Sequence, residues 1–511
     1  MFSARPPCYP LPNRIANPDP IGSLGHTLGF VHRSTYSPGM PPFGKRRPRK
    51  CHRCGKKLKG HVCAVGNRDV TSEVPDEVLA KIVSMLPTDD GIRTQTVSRR
   101  WSKLWQSATL NLDDRDLHPW RWGDDLVALI TSILLSHPGP ARRLSVTCLP
   151  RVSDAQGDRY PSFDNWFLSP VLDKIEEISF RYLLRTAQDP LPPSALRFTK
   201  LRVASYGNCH MPEDLDEGIS FPYLRKLTLQ HLTNTENTLH ALLSACPTIE
   251  SLLLVDNNAF CNVRISSPSL ITLGVSIETR EPAMEELIIV DAPIMGILLL
   301  FNTDGGPTKL RLIRAPKLLV LGTVSSSMED MQLGKSVFKF MFLAYEVLLI
   351  QIITSVFLLI QSMTAISSIT FLQAVKIFSI SASSFQLNVV MDILKCFPCL
   401  EKLYFTSMAK ESGDQLNGDP SIECVPTHLK ETVLRNYRGR TEDLSFAGFF
   451  ISHAKELKSM EFRVDERRRL PKLKDRASKI ARFKFVPGTF FKHYGNRHFT
   501  HDLSDFDPFE L

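Results

Sequence analysis

The feature that most restricts the fold is a recurring apolar triplet, leucine-x-x-leucine-x-leucine with aliphatic or aromatic substitutes, which begins near residue 144. Copies stand at Ile175, Ile178, Phe180; at Phe198, Leu201, Val203; at Leu224, Leu227, Leu229; at Ile249, Leu252, Leu254; at Leu270, Leu273, Val275; and at Met284, Leu287, Ile289. After a poorer stretch they resume at Leu372, Val375, Ile377; Leu400, Leu403, Phe405; Leu429, Thr432, Leu434; and Leu457, Met460, Phe462. Most intervals lie near the roughly 20–29 residues of a unit made of one short strand and one return segment. The run from His240 to Pro247 shows how such a return can be helical. A single unit leaves its apolar face bare, and only stacked neighbours bury a continuous core. About ten copies in order therefore predict a solenoid rather than unrelated amphipathic strands.

Ahead of the repeats a different period holds. Val74, Val78, Leu79, Ile82, Val83 and Leu86 recur at helical spacing. Pro75 suits the first helical position, and Asp76 and Glu77 place negative charge at the positive end of the helix dipole. Pro87 ends that helix. Thr88 is the expected cap of a second helix with Asp89 and Asp90 in its first turn, and Ser98 of a third that carries Arg100, Trp101, Leu104 and Trp105. Three helices in under forty residues cannot bury this apolar surface alone, so a partner or the following domain must cover part of it.

Composition sets the remaining bounds. The 511 residues are 43% hydrophobic and 23% charged, ordinary for a globular protein. The formal charge of +9 is modest and concentrated towards the N-terminus, which argues against a nucleic-acid surface spread along the chain. The 11 cysteines are scattered, with Cys246, Cys261, Cys396 and Cys399 in apolar runs, and read as reduced thiols of an intracellular protein. Residues 1–69 are dense in Pro, Gly, Ser and Arg without helical or strand period and without a secretory signal pattern, and are expected to be disordered.

The run from Val74 to Trp105, with its Pro-Asp-Glu opening, Leu86-Pro-Thr, Ser98-Arg-Arg-Trp and Leu104-Trp, resembles the plant F-box; valine stands at 74 where leucine is usual. Phe221-Pro-x-Leu-x-x-Leu-x-Leu, Ala245-Cys-Pro-x-Ile-Glu-x-Leu, Cys396-Phe-Pro-Cys-Leu-Glu-Lys-Leu, the stretch His428 to Gly439 and the tail His501 to Phe509 resemble the grass-type F-box/leucine-rich-repeat proteins that end in an FBD domain. The resemblance implies a Skp-type adaptor bound by the F-box, a cullin scaffold holding that adaptor, and a protein substrate chosen by the repeats. The residues expected to meet the adaptor are Val74, Pro75, Val78, Leu79, Ile82, Val83, Leu86, Pro87, Val97 and Trp101, an apolar set of the kind that enters a groove between helices.

Two segments point elsewhere. Cys51-x-x-Cys54-Gly followed by His61 and Cys63 has a zinc-like composition, since a Cys-x-x-Cys-Gly turn brings two thiolates to one ion. The His61-x-Cys63 half is tighter than usual metal spacing, and a basic tail is the alternative. The neighbouring run Lys45 to Lys50, with Lys56, Lys57 and Lys59, suits nuclear import, a phosphate contact or a solvated linker. Phe340 to Ile360 is almost wholly apolar and long enough to span a bilayer. It sits inside the repeat array, where the interval from Leu318 to Leu372 is about twice the usual one. The expectation is an insertion over 340–361, such as a translated intron, with a divergent buried repeat and a membrane span as alternatives. No phosphate loop, nucleophile elbow or His-Glu-x-x-His helix occurs.

The reading is an α/β chain: a basic segment 1–69, a three-helix F-box over 70–115, a leucine-rich-repeat solenoid over 140–415 and an FBD-like cap over 420–511. It predicts a non-catalytic substrate receptor of a cullin-based ubiquitin ligase, cytoplasmic and/or nuclear, with no cofactor beyond zinc at the N-terminal cluster. Neither nucleic-acid nor membrane binding is expected. The alternative is a nucleic-acid-associated regulator that uses the basic Cys/His segment.

Overall fold

A computed structural model of the chain describes residues 74–117, 124–149, 163–183, 189–212, 218–257, 260–277, 284–301, 307–325, 328–339, 372–382, 387–407, 428–464 and 476–487. All belong to one compact unit, Val74–Leu511. The Cys/His group, the basic run, the segment 340–361 and the tail from His501 lie outside the described residues.

Three helices open the unit: α1 (Asp76–Met85), α2 (Thr88–Thr94) and α3 (Arg99–Ser107). The Ser98 hydroxyl caps α3 by accepting from the Trp101 amide at 3.3 Å, as its position suggests. Thr88 does not cap α2. It is the first residue of that helix, and its hydroxyl donates to the Asn111 carbonyl at 2.9 Å, tying the helices to the strand that follows. Pro75 precedes the first helical residue rather than occupying it.

That strand, Leu110–Asp113, is the first of a long sheet. Among the described residues the sheet has fourteen strands, and each pairs in parallel with the next. The helix α4 (Asp124–Ser136) returns the chain from Leu110–Asp113 to Ala141–Leu149. A unit of strand and return thus repeats along the chain, as the apolar period predicts. Leu144, Ile178, Leu227, Leu252, Leu273 and Leu403 project to one side and build a single continuous core.

The ladder corrects the reading of three copies. Ala204 and Tyr206 pair with Leu227 and Leu229, so the core triplet of that turn is Leu201, Ala204, Tyr206, not Phe198, Leu201, Val203. Likewise Phe378 and Ile380 pair with Leu403 and Phe405, which makes the triplet Val375, Phe378, Ile380. Ile377 faces the opposite side. Leu287 and Ile289 belong to a second sheet. The poorer stretch contains two further turns of the long sheet, at Met295, Leu298, Leu300 and at Leu318, Leu321, Val324.

This second sheet was not foreseen. Four parallel strands, Asn262–Ser266, Glu286–Asp291, Lys309–Leu312 and Asp330–Leu333, form the return side of the middle repeats, with Ser336–Lys339 added antiparallel. Their alternating residues Val263, Ile265, Leu287, Ile289, Leu310 and Leu312 meet the long sheet's core. These returns have a period of two where a helix needs 3.6. Helices return the chain elsewhere, at α4, α6 (Glu236–Ser244), α7 (Leu387–Leu394) and α8 (Thr441–His453), while α5 (Asp164–Phe167) is a single turn.

The other side of the long sheet is also apolar in its middle. Leu253, Val255, Leu299, Val320, Ile377, Tyr404 and Val433 form a separate buried cluster. Those strands are covered on both faces, which explains near-continuous apolar runs such as Leu252–Val255 and Ile297–Phe301. The C-terminal part extends the same sheet through Glu431–Arg435, Ser459–Val464 and Arg482–Pro487. Phe446 of α8 lies 4.1 Å from Phe405, ring centre to ring centre, and joins that region to the repeats before it.

Candidate functional site

The helical segment has two apolar sides with different tasks. Turning inward, Leu79 and Val83 of α1 are buried with Leu104 and Trp105 of α3. Val83 and Trp105 are part of the continuous repeat core, and Trp101 packs against it half-buried. The Trp105 ring meets His137 edge-on at 5.3 Å, directly after α4. Gly91 of α2 lies against the same ring, where a Cβ would overlap it. Trp105 is therefore the anchor between helices and repeats, and it requires a glycine opposite.

Turning outward, Val78, Ile82 and Met85 are 47%, 41% and 69% exposed. Their spacing of four and three residues lines them along one stripe of α1. Val97, 68% exposed in the link to α3, and the exposed Pro75 and Pro87 belong to the same set of solvent-facing residues. Val74 and Leu86 are half-buried. The ten residues predicted to meet a partner thus divide: Leu79 and Val83 support the fold from within, and Val78, Ile82, Val97 and the two prolines are free to be met. A helix turns about 100° per residue, so neighbours such as Val78 and Leu79 cannot share one narrow face. Met85 was missed, although its place three residues after Ile82 signals the stripe.

Polar contacts hold these helices in register. The Arg100 guanidinium donates to Asp76 at 2.9 and 2.7 Å and to the Val74 carbonyl at 2.6 Å, clamping α3 to the start of α1. Asn111 donates to the Ser84 carbonyl at the end of α1. The outward stripe therefore stands on a braced helix.

Among the described residues no group of three His, Cys, Asp or Glu side chains could hold a metal ion. No described helix is long and apolar enough to cross a membrane. Six described cysteines are free thiols. Burial pushes the thiols of Cys209 and Cys246 up to about 12 and that of Cys396 to about 11, which makes them inert core residues. Cys261 is half-buried and Cys399 exposed, although both stand in apolar runs.

Family models match this arrangement part by part. The F-box domain matches residues 72–113, the repeats of FBD-associated F-box protein At5g56370 match 163–359 and 342–405, and FBD matches 419–462. The F-box/FBD/LRR-repeat protein At4g00315 of Arabidopsis thaliana is 30% identical over 237 residues, 44% of this chain and 53% of the relative. From the same plant, F-box/FBD/LRR-repeat protein At1g13570 is 26% identical over 42% of this chain and 51% of its own length. F-box/LRR-repeat protein At1g55660 is 28% identical over 44% and 65%. The chain therefore spans between half and two thirds of these relatives. With helices, parallel solenoid and closing strands in the order those three models require, the chain belongs to the plant F-box/leucine-rich-repeat proteins with a C-terminal FBD domain.

Proposed function

We propose that this chain is the substrate-recognition subunit of a cullin-based ubiquitin ligase, acting in the cytoplasm and/or nucleus and carrying no active site of its own. The F-box docks a Skp-type adaptor, the adaptor joins the cullin scaffold, and the repeats recruit the protein to be ubiquitylated. One observation supports this above the rest: an aliphatic stripe stands in solvent on a helix whose opposite side is locked into the repeat core. Exposed apolar residues that form a continuous stripe on a braced element suit a partner's groove.

The test is a charge placed on the stripe. Ile82→Asp with Met85→Asp points into solvent in the free chain and leaves its core intact, whereas a carboxylate driven into an apolar groove costs several kcal/mol. The double variant should melt like the wild type and lose co-purification with a Skp-type adaptor. Wild-type recovery of the adaptor would refute the docking face. Leu79→Asp is a poor probe, because Leu79 is interior and its loss would unfold the helices.

A further inference from the structure

At the edge where the long sheet's strands begin, six residues of successive turns stand in one row. Their backbones bond in sequence: Arg225 donates to Arg202 at 2.9 Å, then Glu250 to Arg225, Ile271 to Glu250, Gly296 to Ile271 and Leu319 to Gly296, each at 2.8 Å. Beside them runs a second row two residues earlier in the same turns, Tyr223, Thr248, Ser269 and Ile294. The hydroxyls of Thr248 and Ser269 are occupied in tying each turn to the one before, through Pro222 at 2.9 Å and Ile249 at 2.8 Å. Between the rows, from Arg202 to Ile271 and Ile294, lies an open groove of about 420 Å³, and the first row continues past it to Gly296 and Leu319.

The two ends of the first row differ chemically. At one end stand the Arg202 and Arg225 guanidinia, with side chains 65% and 64% exposed. Their ion pairs are long, 3.9 Å to Glu176 and 3.4 Å to Glu250, and exposed pairs of this kind contribute little. At the other end Ile271 and Leu319 are exposed on either side of Gly296. A Cβ on Gly296 would meet nothing within 4 Å, so the row has a notch between two aliphatic side chains.

We propose that this groove and the notch that continues it bind an extended peptide segment of the recruited protein, an acidic residue on Arg202 and Arg225 and an aliphatic or aromatic residue in the Gly296 notch. Three strand steps separate Arg225 from Gly296, about 14 Å, which an extended chain spans in about four residues. Glu250 lies between them and excludes acidic residues from the middle of the segment. The inference rests on the repeats being the recruiting surface.

The experiment selects displayed random peptides of twelve residues on the immobilised full chain. Selected peptides should pair Asp or Glu with Leu, Ile or Phe about four positions away, and their affinity should fall as salt rises. Two variants locate them: Arg202→Glu with Arg225→Glu, and Gly296→Gln, which fills the notch without touching the core. Each should weaken binding about tenfold or more while melting as the wild type does. Peptides without this pattern, or binding within about twofold of wild type in a folded variant, would overturn the proposal. Co-purification of a Skp-type adaptor is measured on the same chain. Adaptor retained without the peptide pattern removes the groove alone, and adaptor lost from the wild type removes the recruiting reading itself.

Discussion

Asp114 shows how much one side chain can carry at the junction of helices and repeats. Its buried carboxylate accepts from the Thr147 amide at 2.5 Å, the Cys148 amide at 2.8 Å and the Thr147 hydroxyl at 3.2 Å, pinning the segment after the first strand to the second. Burial raises its pKa, and the two amide bonds only partly oppose that. Asp114→Ala leaves two buried amides without an acceptor and should cost about 2–4 kcal/mol, read as a lower urea midpoint. Asp114→Asn keeps an acceptor and should cost less. His137, packed on Trp105, has a different sensitivity. Its Nε2 donates to the Ala108 carbonyl at 3.0 Å, and burial holds its pKa below the ordinary 6.5 despite that contact. Folded, the ring stays neutral to lower pH than it does unfolded. The stability this contributes is present above pH 6.5 and is lost as pH falls through the folded value. Melting temperature should therefore drop more between pH 7 and 5 in the wild type than in His137→Gln; equal slopes would dissociate His137 from the effect. Neither role can be read from sequence, since nothing local distinguishes Asp114 from Asp113 or Asp116.

At the scale of one element, the apolar triplet was legible because core positions of a strand must repeat every two residues and strands must stack. Its frame was not always legible. Phe198, Leu201, Val203 and Leu201, Ala204, Tyr206 both satisfy the same spacing, and only pairing with the neighbouring strand decides between them. A small residue, Ala204, holds a core position there, two residues before Tyr206, which pairs with Phe180. The strand Val320–Ser325 carries a similar surprise: its pairing with Ile377–Ala382 shifts between Leu321 and Val324, around Gly322. A Cβ at Gly322 would overlap the Leu299 Cα and the Leu300 amide of the adjoining strand. Gly322→Ala should push two backbones apart and cost about 1–3 kcal/mol, visible in chemical denaturation. An unchanged midpoint would mean the strands can separate there at no cost.

For the molecule as a whole, stability of a stacked array depends on its ends being covered. The strand Lys402–Ser407 is covered by Glu431–Arg435 and by Phe446. Removing residues 428–511 would bare Phe405 and an unpaired strand edge, so the shortened chain should aggregate and lose its cooperative melt. A soluble, sharply melting product would show the C-terminal region to be dispensable for the repeats. The order of parts was legible from the sequence alone: an apolar helical period before residue 110, a strand period after it, and Pro, Ser and Gly marking the breaks. These are local signals, set by side-chain spacing and backbone stereochemistry. Tertiary structure alone decided which apolar residues are interior and which stand in solvent. Leu79 and Ile82 are alike in hydrophobicity, and only the packing of α3 and the repeats against α1 tells them apart. The same holds for the strand returns of the middle repeats, for the second apolar side of the long sheet and for the row from Arg202 to Leu319. Each joins residues far apart in the chain, and their positions follow from pairing between turns rather than from any local preference.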